Sequence, residues 1–573
     1  MMKIQKTQNF HINQNSSLKN IQSENKNASV QYQNQVAFGE NTNFIKSYAQ
    51  MLINRARPIN QINLQNTQNI PWKNNLKTMF ENNQASVYAL IMRTFNAQDK
   101  DGNGLIDESK GEVAGTFRNA VERLDELKDL GINTLHVLPI NPVGKLAAKG
   151  TAGCVYSVND FLSFEETLGT KDDFKYFVDE CHKRGIAVMV DLPSCASTEF
   201  YKARPDLMAI DARGLPEVPQ GWEDIRMFAP YSDKDKKVLN KALLDYHKQF
   251  IDLMLECKVD GLRTDVARAK PVEFWDELIS YARSKDPQFG FLGETYTYED
   301  ASPMLNMPYD RPNEILAVGF DTIYGQYHLF PDWTKANDLH KYVIECLDMS
   351  HNLPKGKSFI GSFATHDDKS PMSHGGAKYC NLTTGLQYTL PMMNPYFVTG
   401  FETGDTYIYP YKDKYSQTTR TNSHTNYVHP EMVDIFNLSR KPGGNHPEIA
   451  EFMKKMAKVK EQYSDVITKG TYIPLKDTGN KDDSIIAFAR HYNGKTLLVV
   501  ANRDVNFTQA GTIKIPGFNE NQILHDLAEQ NGDSLIPKKE ALKVKLAPAA
   551  FHVFEINTPY RERQSKEVFA QKM

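Results

Sequence analysis

Three short apolar runs in this chain each end on an acidic residue, and this repetition limits the fold more than any other feature. Asp265 closes Asp260-Gly-Leu-Arg-Thr-Asp265. Glu294 closes Phe289-Gly-Phe-Leu-Gly-Glu294, and Asp367 closes the run from Ser358 that ends Phe363-Ala-Thr-His-Asp367. Runs of this length and apolarity read as strands buried on both faces. Carboxylates at three strand ends converge on one mouth only if the strands run parallel.

The flanking sequence carries the same alternation. Strands are expected at Val87–Met92, Thr134–Leu138, Ile186–Asp191, Val259–Asp265, Phe289–Gly293, Ala317–Ile323, Ser358–Phe363 and Pro395–Thr399. Helical periods fall between them, near Thr116–Leu130, Lys171–Arg184 and Lys236–Cys257. About eight such units close a (β/α)8 TIM barrel. Between residues 194 and 232 the pattern lapses and Gly and Pro are frequent, which reads as a short insertion after the third strand. Beyond Ser464 the segments Asp483–Arg490, Lys495–Asn502 and Phe551–Ile556 look like short strands joined by turns, as in an all-β sandwich. The expected fold class is therefore α/β, a TIM barrel with that insertion and a C-terminal all-β sandwich domain. Its domains are a barrel over 76–465, a sandwich over 466–558, an Asn/Gln-rich disordered tail over 1–75 and a polar tail over 559–573.

Composition removes several classes of function. A chain of 573 residues holds two or three domains. Its net charge of -3 offers no basic footprint, so nucleic acid is excluded as a partner. No apolar run reaches the roughly 20 residues that a membrane helix needs. The first residues lack the apolar core of a secretory leader, and a cytoplasmic location is expected. Six cysteines without paired spacing make no disulfide framework. Cys195, Cys257 and Cys346 sit in apolar surroundings and read as reduced core thiols.

Two converging carboxylates about 5–5.5 Å apart are what double-displacement glycoside cleavage needs, one as nucleophile and one as acid/base. Arg263 lies two residues before Asp265, on the same side of its strand, where a guanidinium favours the ionised carboxylate. The apolar strand leading to Glu294 favours a raised carboxyl pKa. In series with Asp367, these residues resemble the α-amylase superfamily, glycoside hydrolase family 13, over roughly residues 85 to 555. The resemblance implies Asp265 as nucleophile, Glu294 as general acid/base and Asp367 as the third carboxylate, which steadies the transition state. It also implies that His366 hydrogen-bonds sugar hydroxyls and that Tyr156, in Val155-Tyr-Ser-Val-Asn-Asp160, stacks on the sugar being cleaved.

The chain departs from that family's pattern in three places. The third strand ends Asp191-Leu-Pro-Ser-Cys195-Ala196, where members carry an Asn-His pair. Arg268-Ala269 stands where many have Lys-His, and Thr365 where Asn is common before His366. The run Arg268-Ala-Lys-Pro-Val-Glu-Phe-Trp275 resembles the superfamily's maltosyltransferase branch. In that light Lys270 would contact a phosphate or a glucan hydroxyl; the plainer reading is a surface lysine that starts a helix before Pro271.

A second chemistry is written in Asp99-Lys-Asp101-Gly-Asn103-Gly-Leu105-Ile-Asp107. Oxygen ligands at alternate positions, with glycines between, suit a structural Ca²⁺ held by Asp99, Asp101, Asn103, the Leu105 carbonyl and Asp107. No organic cofactor is implied. The expected function is an α-amylase-like retaining glycoside hydrolase acting on α-1,4-glucans or malto-oligosaccharides. The alternatives are a maltosyl or glucanosyl transferase and, from another class, a catalytically silent glucan-binding protein.

Overall fold

Every residue of eight short strands is buried, so none has a face to offer water, and the strands close on one another. The computed structural model describes residues 71–101, 106–148, 152–219, 222–295, 311–406, 446–515, 523–528 and 541–556, with the backbone of Thr421–Asn422 and Tyr427–Val428. The tails read at 1–70 and 559–573, and the calcium ligands Asn103 and Leu105, lie outside the described residues.

In chain order the strands up to the end of the barrel are β1 (Val87–Leu90), β2 (Thr134–Val137), β3 (Ala187–Leu192), β4 (Cys195–Ser197), β5 (Ile225–Met227), β6 (Gly261–Thr264), β7 (Gly290–Gly293), β8 (Thr322–Tyr324), β9 (Ser358–Gly361) and β10 (Met393–Val398). All but β4 and β5 form a closed parallel barrel, with β1 pairing β2 on one side and β10 on the other. Alternation sorts the side chains. Val87, Ala89, Ala187, Met189, Leu292 and Ile360 fill the interior, while Tyr88, Leu90, Val188, Val190, Leu262 and Phe291 pack outward against helices. The antiparallel pair β4–β5 is the insertion, and it begins just beyond the end of β3.

The base of the barrel is plugged by the segment before β1. Gly261 and Gly290 face Leu76, and a Cβ at either would lie 2.7 Å from the Leu76 side chain. Trp72 Nε1 donates to Asp260 Oδ1 at 2.8 Å, and its ring stacks on His182 at 4.5 Å. Residues 72–75, assigned from sequence to a disordered tail, are therefore held on the barrel. A second difference concerns the expected strand Ala317–Ile323. A helix, Pro312–Val318, occupies its first residues, and the strand is only Thr322–Tyr324. Pro312 suits a helix start, and Gly319 at φ 139° ends the helix where a side chain would be strained.

Two antiparallel sheets follow, one from Thr471–Pro474, Ile485–Tyr492, Lys495–Asn502 and Phe551–Ile556, the other from Asp477–Thr478, Gln509–Lys514 and Ala541–Leu546. Buried Arg490 ties the first sheet to the barrel by donating to the Thr389 and Gly470 carbonyls at 2.9 and 2.8 Å. All six cysteines are free and buried. Among the described residues no helix is long and apolar enough to cross a membrane.

At the barrel base Asp321 accepts from Arg283 Nη2 at 2.8 and 2.7 Å and from the Phe291 N–H at 2.8 Å. Burial pushes its pKa up to about 6 against the pull of Arg283. A raised folded-state pKa means that the carboxyl favours folding below its unfolded value and that this advantage fades as pH rises through about 6. Removing Arg283 leaves a buried charge alone. Arg283→Met should therefore cost about 3 kcal/mol at pH 8 and clearly less at pH 5. Urea unfolding at the two pH values reads this, and an equal loss at both would contradict it.

Candidate active site

The expected residues meet at the C-terminal ends of β3, β6, β7 and β9, and Arg263 is their centre. Register sets Asp191 beside Arg263 and Arg263 beside Leu292. The guanidinium is 1% exposed. Its Nη1 donates to both oxygens of Asp191 at 2.9 Å and to Asp265 Oδ1 at 3.0 Å, and its Nη2 donates to Glu294 Oε2 at 2.7 Å. Asp265 and Glu294 are thus neighbours on one guanidinium. A guanidinium that donates to both holds the two carboxylates close together, as double displacement requires.

This crowding decides where protons sit. Burial, then the charge of Glu294, pushes Asp265 well above the usual carboxylate range, and Arg263 opposes them. Burial also works against Glu294, but Arg263 and the Val266 N–H, donating at 2.9 Å, hold it below that range. The two carboxyls therefore respond to each other's charge as well as to Arg263. Burial resists the charge on Asp191 too, yet Arg263 and His136 keep it ionised.

Around this centre the polar groups form one network. Asp191 Oδ2 accepts from His136 Nε2 at 3.1 Å and from the Tyr156 hydroxyl at 2.8 Å. Tyr156 also meets His366 Nε2 at 2.8 Å, and the two rings stack 5.6 Å apart. His366 Nδ1 is buried without a hydrogen-bond partner among the described residues. Asp367 is more exposed, with Oδ1 3.6 Å from His366 Nε2. Asp265, Glu294, Asp367, Arg263, Tyr156 and His366 therefore share one mouth.

Lys270 does not face that mouth. Its ammonium is buried beneath Asp265 and donates to Ser194 Oγ at 2.8 Å, near the rings of Phe228 and Trp275. Lys270 is thus a buried lysine whose hydrogen-bond partner is Ser194, and not the surface lysine of the plainer reading. Sequence reasoning also missed Ser194 and His136, which enter through strand pairing and leave no local signal. Val266, next to Asp265, adopts φ 39° and ψ 62°, a left-handed conformation costing a β-branched residue about 1–3 kcal/mol. That turn aims the Val266 N–H at Glu294.

On the loop after β1, ligand oxygens of Asp99, Asp101 and Glu112 lie within 4.8 Å of one another. Glu112, not singled out from sequence, also orders the loop by accepting from the Lys100, Asp101 and Asp107 N–H groups at 2.9, 3.2 and 2.8 Å. Asp107 is used otherwise: Oδ1 accepts from the Ser109 N–H and hydroxyl at 3.1 and 2.5 Å. Lys110 Nζ lies 2.9 Å from Asp101 Oδ2. The hard oxygen donors fit a Ca²⁺-sized cation.

The family profile for the α-amylase catalytic domain matches residues 91–201. An α-amylase of Haloarcula japonica is 29% identical over 230 residues, 37% of this chain and 29% of that protein. A maltose-1-phosphate maltosyltransferase of Arcanobacterium haemolyticum is 28% identical over 293 residues, 47% of this chain and 39% of that protein. A maltosyltransferase of Streptomyces coelicolor is 23% identical over 480 residues, 78% of this chain and 65% of that protein. The chain thus spans less than two thirds of the length of these curated relatives. Among solved structures, a maltogenic α-amylase from Thermotoga neapolitana superposes with a TM-score of 0.61 at 21% identity, covering 83% of this chain and 99% of that one. Over residues 91–201 and in these relatives the chain is similar to enzymes of the α-amylase family, and its barrel is the fold of the solved α-amylases.

Proposed function

We propose that this enzyme cleaves α-1,4-glucans or malto-oligosaccharides with retention, through a covalent glycosyl-enzyme. The observation that carries the reading is the single buried guanidinium that grips both Asp265 and Glu294. Asp265 attacks the anomeric carbon while Glu294 protonates the departing oxygen. Glu294 then takes a proton from the incoming hydroxyl, and the sugar leaves Asp265. This requires Asp265 ionised and Glu294 protonated when the substrate is bound. Asp367 opposes the positive charge developing on the sugar, Tyr156 offers its ring, and His366 addresses hydroxyls. Water as acceptor gives hydrolysis and a second glucan gives transfer. The maltosyltransferase relatives favour keeping the transfer reading.

Incubation with maltoheptaose separates the outcomes. Shorter products alone mean hydrolysis, and longer chains mean transfer. Asp265→Asn should lower turnover by at least about a thousandfold while the protein stays folded, because an amide forms no glycosyl-enzyme. Glu294→Gln, given an activated glycosyl fluoride, should accumulate an adduct visible by intact mass. Turnover within about tenfold for Asp265→Asn, or no adduct for Glu294→Gln, would remove that residue from its role.

We also propose a structural Ca²⁺ on the loop after β1, held by Asp99, Asp101 and Glu112, with Asn103 and the Leu105 carbonyl as further ligands. An ion bound only by the folded state adds about 2.7 kcal/mol at a hundredfold excess over its Kd. Calcium should therefore raise the melting temperature, and Glu112→Gln should abolish the rise. A midpoint indifferent to calcium and chelator, together with no metal by elemental analysis, would dismiss the site.

A further inference from the structure

Beneath Asp265 lies a contact chain that the mechanism above leaves unused. Lys270 Nζ donates to Ser194 Oγ at 2.8 Å. Ser194 Oγ donates in turn to the Asp265 carbonyl at 2.5 Å, and the Ser194 N–H donates to Asp265 Oδ2 at 3.2 Å. One serine thus holds the main chain and the carboxylate of Asp265 together, and one ammonium fixes that serine. The ammonium is 1% exposed, so it touches no sugar directly. A buried cation is costly unless it is compensated, and Asp265 is the carboxylate whose charge supports this one.

We infer that Lys270 and Ser194 are a positioning pair that fixes Asp265 and favours its ionised form. The inference rests on Asp265 being the nucleophile. Donors aimed at one carboxylate favour its ionised form. Arg263 serves Asp265 and Glu294 alike, whereas the Ser194 N–H donates to the Asp265 carboxylate and its hydroxyl, held by Lys270, to the main chain beside it. The asymmetry comes from below, from the segment joining β6 to the next helix, Val272–Lys285. It also anchors the strained turn at Val266.

The surroundings leave Lys270 as the group that titrates in the working range. It faces Asp265, Ser194, the Cys195 thiol, His247 and the rings of Phe228 and Trp275. Burial keeps Cys195 protonated by pushing its thiol well above its ordinary value, and keeps His247 neutral by pushing it well below. Burial lowers Lys270 to about 8, opposed by Asp265. The pair is charged below that pH and silent above it.

The test is first-turnover fluoride release from α-maltosyl fluoride. In that step an Asp265 oxygen bonds to the anomeric carbon, the C–F bond breaks, and fluoride leaves with the bonding pair. Because no acid is needed, the rate reads the nucleophile and not Glu294. Lys270→Met should slow it by about 10- to 100-fold, with half-saturation moved less than about threefold. Ser194→Ala should fall in the same direction, and the double variant should be no slower than Lys270→Met alone, because the two act as one unit. The unaltered enzyme should lose rate as pH rises through about 8, and Lys270→Met should lack that limb. Ser194→Ala decides the matter if Lys270→Met does not fold. Asp265→Asn runs alongside. If it is inactive while Ser194→Ala and Lys270→Met stay within about threefold of the unaltered enzyme, or their losses add in the double variant, the positioning pair is overturned. Release at the unaltered rate by Asp265→Asn, or none by the unaltered enzyme, overturns the glycosidase reading instead.

Discussion

Arg263 carries a full charge at a site water barely reaches, and three carboxylates surround it: Asp191, Asp265 and Glu294. One cation serves three carboxylates, so the charge on each raises the cost of charging its neighbours. The arrangement depends on the barrel. Asp191 and Arg263 are register partners on β3 and β6, and Glu294 follows β7 next door. Removing the guanidinium would leave the carboxylates repelling one another in a low dielectric, a penalty that closure of the barrel would have to absorb.

The interior below follows from that need for close strands. Gly261 and Gly290 leave room for Leu76, and Trp72 and His182 both hydrogen-bond Asp260 at the start of β6. Above, Val266 spends conformational energy to aim its N–H at Glu294, while Ser194 holds the other side of Asp265. The strand that presents Asp265 is thus clamped at both ends. Strain of this kind persists where surrounding contacts over-determine it.

The sequence makes the barrel legible because each buried strand is a local pattern, and Asp265, Glu294 and Asp367 are legible because they end such patterns. Ala317–Val318 misleads because an apolar pair before Gly319 suits a strand as well as the last turn of a helix. Lys270 is visible, but its direction is not: the turn of the chain after Val266 decides whether a side chain there points to sugar or to Ser194. Glu112, Ser194 and His136 act through partners distant in sequence, and only pairing reveals them. Trp72 sits at the end of a polar stretch that offers no periodicity, so its docking on Asp260 has no local signature.

The central claim is that Asp265 and Glu294, joined by Arg263, work by double displacement. The stereochemistry of the first product tests it most directly. Proton NMR during cleavage of maltoheptaose, recorded before mutarotation, should show the α-anomer of the new reducing end appearing first, with the β-anomer growing in later. First appearance of the β-anomer would mean a single displacement by water and would contradict the account.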